Sequence, residues 1–280
     1  MTTQYSFPAG DPVPAVTEAA ATGPVAAIFA DLRATLGVPL VNLVWRHLAT
    51  RPAALDWTWT TLAPLYRSGA IAGEAARLGA RIPLPAATPW PQAAFRAVGI
   101  GAGDEAAIAA VLASYDRGNA MNLLAFSALL AHLDGERPAG PPRLADPDPL
   151  DAPLPALLDL AAVAPETADL ALRLNRLGQA GEGAILASLY RHIAHWPAYM
   201  ALAWTRLEPM ARRGELEAAI AGTRTAAADG GRALLSAMPA VPAAGPGDRA
   251  FARGALELFV GQGIARMTAI GRILLAAHPR

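Results

Sequence analysis

Apolar residues recur three and four positions apart along most of this chain, and that spacing predicts helices. In the first half the pattern places them at 24–36, 40–49, 53–66, 70–78, 91–97, 104–116 and 119–133, with Val41, Val44, Trp45 and Leu48 forming one stripe. The punctuation agrees. Pro52 and Pro197 stand where helices begin, a position at which a missing N–H costs nothing. Gly69 and Gly214 follow helix ends, where a left-handed residue is wanted.

The pattern also repeats, which is the first thing to test for in any chain. The stretch PLVNLVWRHLATRPAALDWTWTTLAPLYRSGAI (39–71) aligns without a gap on AILASLYRHIAHWPAYMALAWTRLEPMARRGEL (184–216). At a constant offset of 145, Arg46 pairs with Arg191, His47 with His192, Pro52 with Pro197, Trp59 with Trp204, Pro64 with Pro209 and Gly69 with Gly214. The same offset pairs Gly118 with Gly263 and leads into closing apolar helices at 119–133 and 264–278. The expected organisation is an N-terminal extension (1–22), a first helical repeat (23–134), a Pro/Gly-rich linker (135–165) and a second repeat (166–280). Residues 135–155, GERPAGPPRLADPDPLDAPLP, cannot continue a helix and should cross the surface. The fold expected is all-α, a tandem helical repeat closing into an intramolecular pseudo-dimer. Its inter-unit surface is the natural place for a cavity.

Composition supports the helical reading, because the apolar residues lean on Ala and Leu, both strong helix formers. All basic residues are Arg, which reads as a compositional bias more than as repeated anion gripping. The formal net charge of +0 gives no field toward nucleic acid or an anionic membrane. With 0 Cys, thiolate catalysis, thiolate metal sites and disulfides are excluded. No uninterrupted apolar run is long enough to span a bilayer. The first 16 residues carry Asp11, no basic residue and several Pro, unlike a signal peptide. A cytoplasmic protein is the expectation.

Candidate chemistry is sparse. His192 and His195 are three apart, but no His-Glu-x-x-His arrangement accompanies them, so no metal site is expected. The duplicated Arg46-His47 and Arg191-His192 pairs read as one packing task performed twice. Polar residues that break the repeat are more informative. Asn42 stands opposite Ala187, Ser188 opposite Leu43 and Asn119 opposite Ile264. A buried Asn or Ser must be hydrogen-bonded, so an unrepeated one points to a local task, although Asn119 after Gly118 could equally cap a helix. Ser188 and His192, four apart, could be sketched as nucleophile and base, but no carboxylate is placed to orient the histidine. GIGAG (99–103) lacks the Lys and the preceding strand of a phosphate loop. Trp45, Trp57, Trp59 and Trp204 fall at helical spacing and read as core.

Taken together, Val38-Pro39-Leu40-Val41, Leu48-Ala49-Thr50-Arg51-Pro52, Tyr115-Asp116-Arg117-Gly118-Asn119, and Ala187-Ser188 with Trp196-Pro197 form an ordered set. In order and spacing it resembles the non-stereospecific DL-2-haloacid dehalogenases, over about residues 23–277. The resemblance implies an all-helical pseudo-dimer with the site between its repeats. An aspartate there activates water to displace halide from C2 of a haloacid, without a cofactor. Carried over residue by residue, the assisting asparagine looks like Asn119, and Ala187 and Ser188 precede the aspartate position. That position is Leu189, which cannot accept a proton. The aromatic wall falls on Leu40 and Leu43, and a tyrosine of the last helices falls on Val260. Three readings follow. In the first, hydrolysis uses a substitute base, His192 first, then Asp116 or Glu182. In the second, an inert homologue binds a small, mostly apolar carboxylic acid. In the third, the fold is an interaction module, and a homodimer is left open.

Overall fold

The computed structural model describes residues 13–85, 88–146, 149–150, 152–179 and 185–279. Its helices are α1 (Gly23–Leu36), α2 (Leu43–Leu48), α3 (Pro52–Arg67), α4 (Ala70–Arg81), α5 (Gln92–Ala97) and α6 (Ala102–Leu133). After the linker come α7 (Pro165–Arg176), α8 (Ser188–Ile193), α9 (Pro197–Arg212), α10 (Glu215–Leu234), α11 (Pro246–Leu258) and α12 (Ala265–Ala277). A π-helical turn, Phe259–Ile264, joins α11 to α12. The chain is all-α, with no strand among the described residues.

Local sequence signals account for most of the boundaries. Pro52 and Pro197 open α3 and α9, and Gly37 closes α1 in the left-handed region at φ 61. Gly69 and Gly214, at φ 78 and φ 72, turn the chain from α3 into α4 and from α9 into α10. α2 is shorter than the expected 40–49, because Asn42 is held in an extended conformation (ψ 149) just ahead of the helix.

One boundary is corrected. The expected helices 104–116 and 119–133 are a single 32-residue helix, α6, that runs straight through Gly118. Gly118 is not a turn. A Cβ there would lie 2.9 Å from Asn42 Oδ1, so the missing side chain lets α2 come close to α6. Asn119 is therefore mid-helix and caps nothing. The final helix is likewise longer than the expected 264–278, running over 32 residues, Pro246–Ala277, through the π turn. That stretch is long and apolar enough to cross a membrane, which uninterrupted apolar runs alone did not reveal. With 67% of its most apolar window buried inside the protein, it is disposed as a core helix.

These two long helices organise the interior. Phe126, Leu123 and Leu129 of α6 pack with α1–α4 and with Leu256 and Phe259, in one core. Ile108, Val111 and Leu112, earlier on the same helix, pack with α7–α9 and with Ile270, Ile273 and Leu274 of α12, in the other. Each long helix thus serves both cores. α10 lies along α6 at close range, which Gly231 permits, since a Cβ there would meet the Ser127 side chain at 2.9 Å.

The linker straps both halves. Gly69 O accepts from Ala145 N, Gly37 O from Leu150 N, and the buried Glu74 carboxylate from Arg143 N. Further on, the carbonyls of Pro155, Ala156 and Leu158 receive His192, His195 and Arg191 of the α8 region.

Candidate functional site

α2 and α8 are short helices whose N-terminal residues face one cavity against the middle of α6 and the π turn. The cavity encloses about 460 Å³ of non-atom space, part of it open to solvent. Asn42, Leu43 and Val44 line it from α2, and Ala187, Ser188 and Leu189 from α8. At the offset of 145 these are equivalent positions in the two halves. Tyr115 and Asn119, one turn apart on α6, supply the polar floor. Ile185, Phe259, Gly263, Ile264, Arg266 and Met267 complete the wall.

Most residues singled out from sequence meet here: Asn42, Leu43, Asn119, Ala187, Ser188 and Leu189. Others do not. Leu40 is half-buried against the second core and lies off the cavity wall. Val260 packs half-buried on the first core, while Phe259 takes the cavity face, because positions 259, 263 and 267 recur every four residues. His192 stands one layer back. Its Nδ1 is 2.8 Å from the Tyr115 hydroxyl and its Nε2 is 2.9 Å from the Pro155 carbonyl oxygen. Asp116 points away from the cavity and pairs with Arg272 at 2.7 Å. Glu182 lies outside the described residues.

A buried amide network fixes the floor. Asn119 Oδ1 accepts from Asn42 Nδ2 at 3.2 Å, and Asn42 Oδ1 accepts from Asn122 Nδ2 at 3.0 Å. Asn122 Oδ1 in turn accepts from Trp45 Nε1 at 2.9 Å and from the Tyr66 hydroxyl at 2.8 Å. The chain of bonds leaves one donor over, Asn119 Nδ2, which is buried at the cavity without a hydrogen-bond partner. An unmet buried donor costs on the order of 1–3 kcal/mol, so this position is primed for an acceptor.

The far side is held by charge. Arg46, 3% exposed, donates to Ser188 Oγ at 3.2 Å and so ties α2 to α8. Arg266, 2% exposed, donates to the Asn175 carbonyl, to Asn175 Oδ1 at 3.3 Å and to the Ile185 carbonyl at 3.4 Å. Asn175 also accepts from Ala187 N at 3.0 Å, which sets the entry into α8. Among the described residues Arg266 meets only neutral oxygens, and burial lowers its pKa. Burial also pushes the His192 imidazole down to about 4, against the opposing pull of the Pro155 carbonyl. No acidic side chain lines the cavity among the described residues, and none of them form a His/Cys/Asp/Glu group that could hold a metal.

Sequence reasoning gave no site role to Tyr115, which it had named only as part of a motif, nor to Asn122, Arg266 or Asn175. Two of these carried the signal already in use, since Arg266 stands opposite Met121 and Asn122 opposite Met267 in the repeat. The histidines of the duplicated pair do share one task. His47 Nδ1 is 2.7 Å from the Pro14 carbonyl, as His192 Nε2 is close to that of Pro155. The arginines part ways, with Arg46 reaching Ser188 and Arg191 the Leu158 carbonyl at 2.7 Å.

Comparison with protein-family models and with curated proteins finds no match. Solved structures do match, over nearly the whole chain. A D-2-haloacid dehalogenase mutant superposes with a TM-score of 0.68 at 21% identity, covering 98% of this chain and 96% of the other. This chain shares the fold of a D-2-haloacid dehalogenase. A complex of such a mutant with D-2-CPA gives a TM-score of 0.70 at 19% identity, and a dehalogenase complex with L-LA gives 0.66 at 21%, each with the same coverage. At these identities the likeness is one of fold.

Proposed function

We propose that this chain binds a small carboxylic acid in the cavity between its two helical repeats and does not hydrolyse it. The carrying observation is the pairing of an unpartnered buried donor, Asn119 Nδ2, with an apolar side chain, Leu189, at the position where the resemblance calls for a base. A carboxylate there would accept from Asn119 Nδ2 and from the Ser188 hydroxyl. The buried guanidinium groups of Arg46 and Arg266 favour negative charge in a low-dielectric setting. Leu43, Val44, Leu189, Phe259 and Ile264 would take the apolar part of the ligand. The complexes of the structural neighbours, with D-2-CPA and L-LA, support a ligand of this class. The recurrence of lining positions at one offset supports a pseudo-two-fold relation between the repeats, with the cavity on its axis.

Displacing halide with water needs a group to take the proton, and a missing general base costs about 10² to 10⁴ in rate. Leu189 has no lone pair. A second reading keeps the enzyme, because Tyr115 lines the cavity and connects to His192. That relay is a weak base at neutral pH, since burial holds His192 near 4.

The test combines thermal unfolding with halide release, using both enantiomers of 2-chloropropionate and of lactate. The expected result is a rise in Tm with acid concentration, equivalent to about 2.7 kcal/mol at a hundred times Kd, and no halide above the uncatalysed rate. Asn119→Ala should abolish the rise, and Leu189→Asp should introduce halide release. Halide release by the wild type that disappears in His192→Ala would instead establish the relay enzyme. No stabilisation by any acid would leave only an interaction module.

A further inference from the structure

Gly118 and Gly263 are partners at the offset of 145, and so are Asn42 and Ala187. Asn42 and Ala187 also share a backbone conformation, each extended just ahead of its short helix, at ψ 149 and ψ 130. In the first half the space left by Gly118 is taken by the Asn42 amide, whose Oδ1 lies 2.9 Å from the position of the absent Cβ. In the second half that space is not taken. Ala187 ends at its own Cβ. Beyond the chain neighbours and helix backbone of Gly263, only Phe259 Cδ1 at 3.7 Å and Ile185 Cδ1 at 3.9 Å come within 4 Å of its Cβ position, among the described residues. Gly263, Ala187, Phe259 and Ile185 all line the cavity.

The backbone does not demand glycine at 263, which lies outside the left-handed region. Inside a helix glycine is destabilising relative to alanine, and no close approach offsets that cost as Asn42 does at Gly118. What the glycine leaves is volume. That volume is walled by apolar side chains and opens on the same cavity as Asn119 Nδ2, a donor without a partner on a residue 6% exposed.

We infer that the ligand is a short aliphatic acid with a branched tail, of the 3-methylbutanoate type, and that Gly263 and Ala187 select it. Its carboxylate accepts from Asn119 Nδ2. Its isopropyl group fills the place that the Asn42 amide carbon, oxygen and nitrogen occupy in the first half. The two groups have nearly the same branched shape, and the apolar one suits a wall of Ile185, Phe259 and Ile264. Propionate is too short to reach across that volume and forfeits the packing there. The inference rests on the acid-binding reading above.

Titration calorimetry of the full chain with propionate and 3-methylbutanoate tests it. The longer acid should bind at least about tenfold more tightly, from two further carbons at about fourfold each. Gly263→Ala should raise Tm, because alanine is the better helix former, yet bring the two acids to within about threefold of one another. Ala187→Asn, which puts into the second half the side chain that stands in the first, should narrow the preference likewise. It decides the matter if Gly263→Ala lowers Tm instead. Equal or tighter binding of propionate by the wild type would overturn the inference and leave acid binding standing. So would an undiminished preference in a Gly263→Ala protein whose Tm has not fallen. If neither acid binds, both readings fall.

Discussion

Gly118 lies mid-helix in α6 with Asn42 Oδ1 2.9 Å from the place its Cβ would occupy. Glycine inside a helix costs roughly 0.5–1 kcal/mol relative to alanine, so its presence needs a compensating contact. That contact is the Asn42 amide, which is anchored on both sides by Asn119 and Asn122 and cannot swing away cheaply. Gly254, in the exposed face of α11, offers the control, because nothing lies within 4 Å of its Cβ position. Gly254→Ala should stabilise by about 0.5–1 kcal/mol in urea unfolding. Gly118→Ala should gain nothing and should weaken acid binding by displacing the amide network. Equal stabilisation by the two substitutions would mean that Asn42 is freer than its bonds indicate.

Among elements, the linker and α8 are coupled through a titratable group. His192 is held near 4 in the folded state by burial, against about 6.5 in an unfolded chain. Between those values the unfolded chain binds a proton that the folded chain refuses, so unfolding is favoured as pH falls. This contribution to stability is complete above about pH 6.5 and is lost progressively toward pH 4, by up to about 3 kcal/mol. His278, also lowered by burial, acts in the same direction. The urea midpoint measured from pH 7 to 4.5 should therefore fall. In His192→Gln, which can still donate to Pro155 and accept from Tyr115 but does not titrate, the fall should be shallower. An identical slope in both proteins would place the pH sensitivity elsewhere.

At the scale of the whole molecule, α6 and the helix 246–277 each belong to both cores, so neither core can come apart alone. Tryptophans report on the two cores separately: Trp45, Trp57 and Trp59 lie in the first, and Trp90, Trp196 and Trp204 pack on the second. Leu274→Ala, in α12 of the second core, should destabilise by about 2–5 kcal/mol. Fluorescence of a variant keeping only the first-core tryptophans should shift to the same lower midpoint as circular dichroism. Two separated transitions would mean that the repeats unfold as independent units, despite their shared helices.

The chain by itself determined the helical class, the internal sequence repeat and part of the cavity wall. Those follow from apolar spacing, from Pro and Gly at fixed offsets, and from Asn42, Ser188 and Asn119 breaking the repeat, all of which are local or pairwise properties of the sequence. Tertiary structure alone decided the rest. Gly118 reads as a helix break until Asn42 is seen against it. His192 reads as a base until its two nitrogens are found occupied by Tyr115 and Pro155. Which of Phe259 and Val260 faces the cavity depends on the helix phase through the π turn. Hydrogen-bond polarity and helix approach depend on partners tens of residues away, and no spacing rule along one chain encodes them.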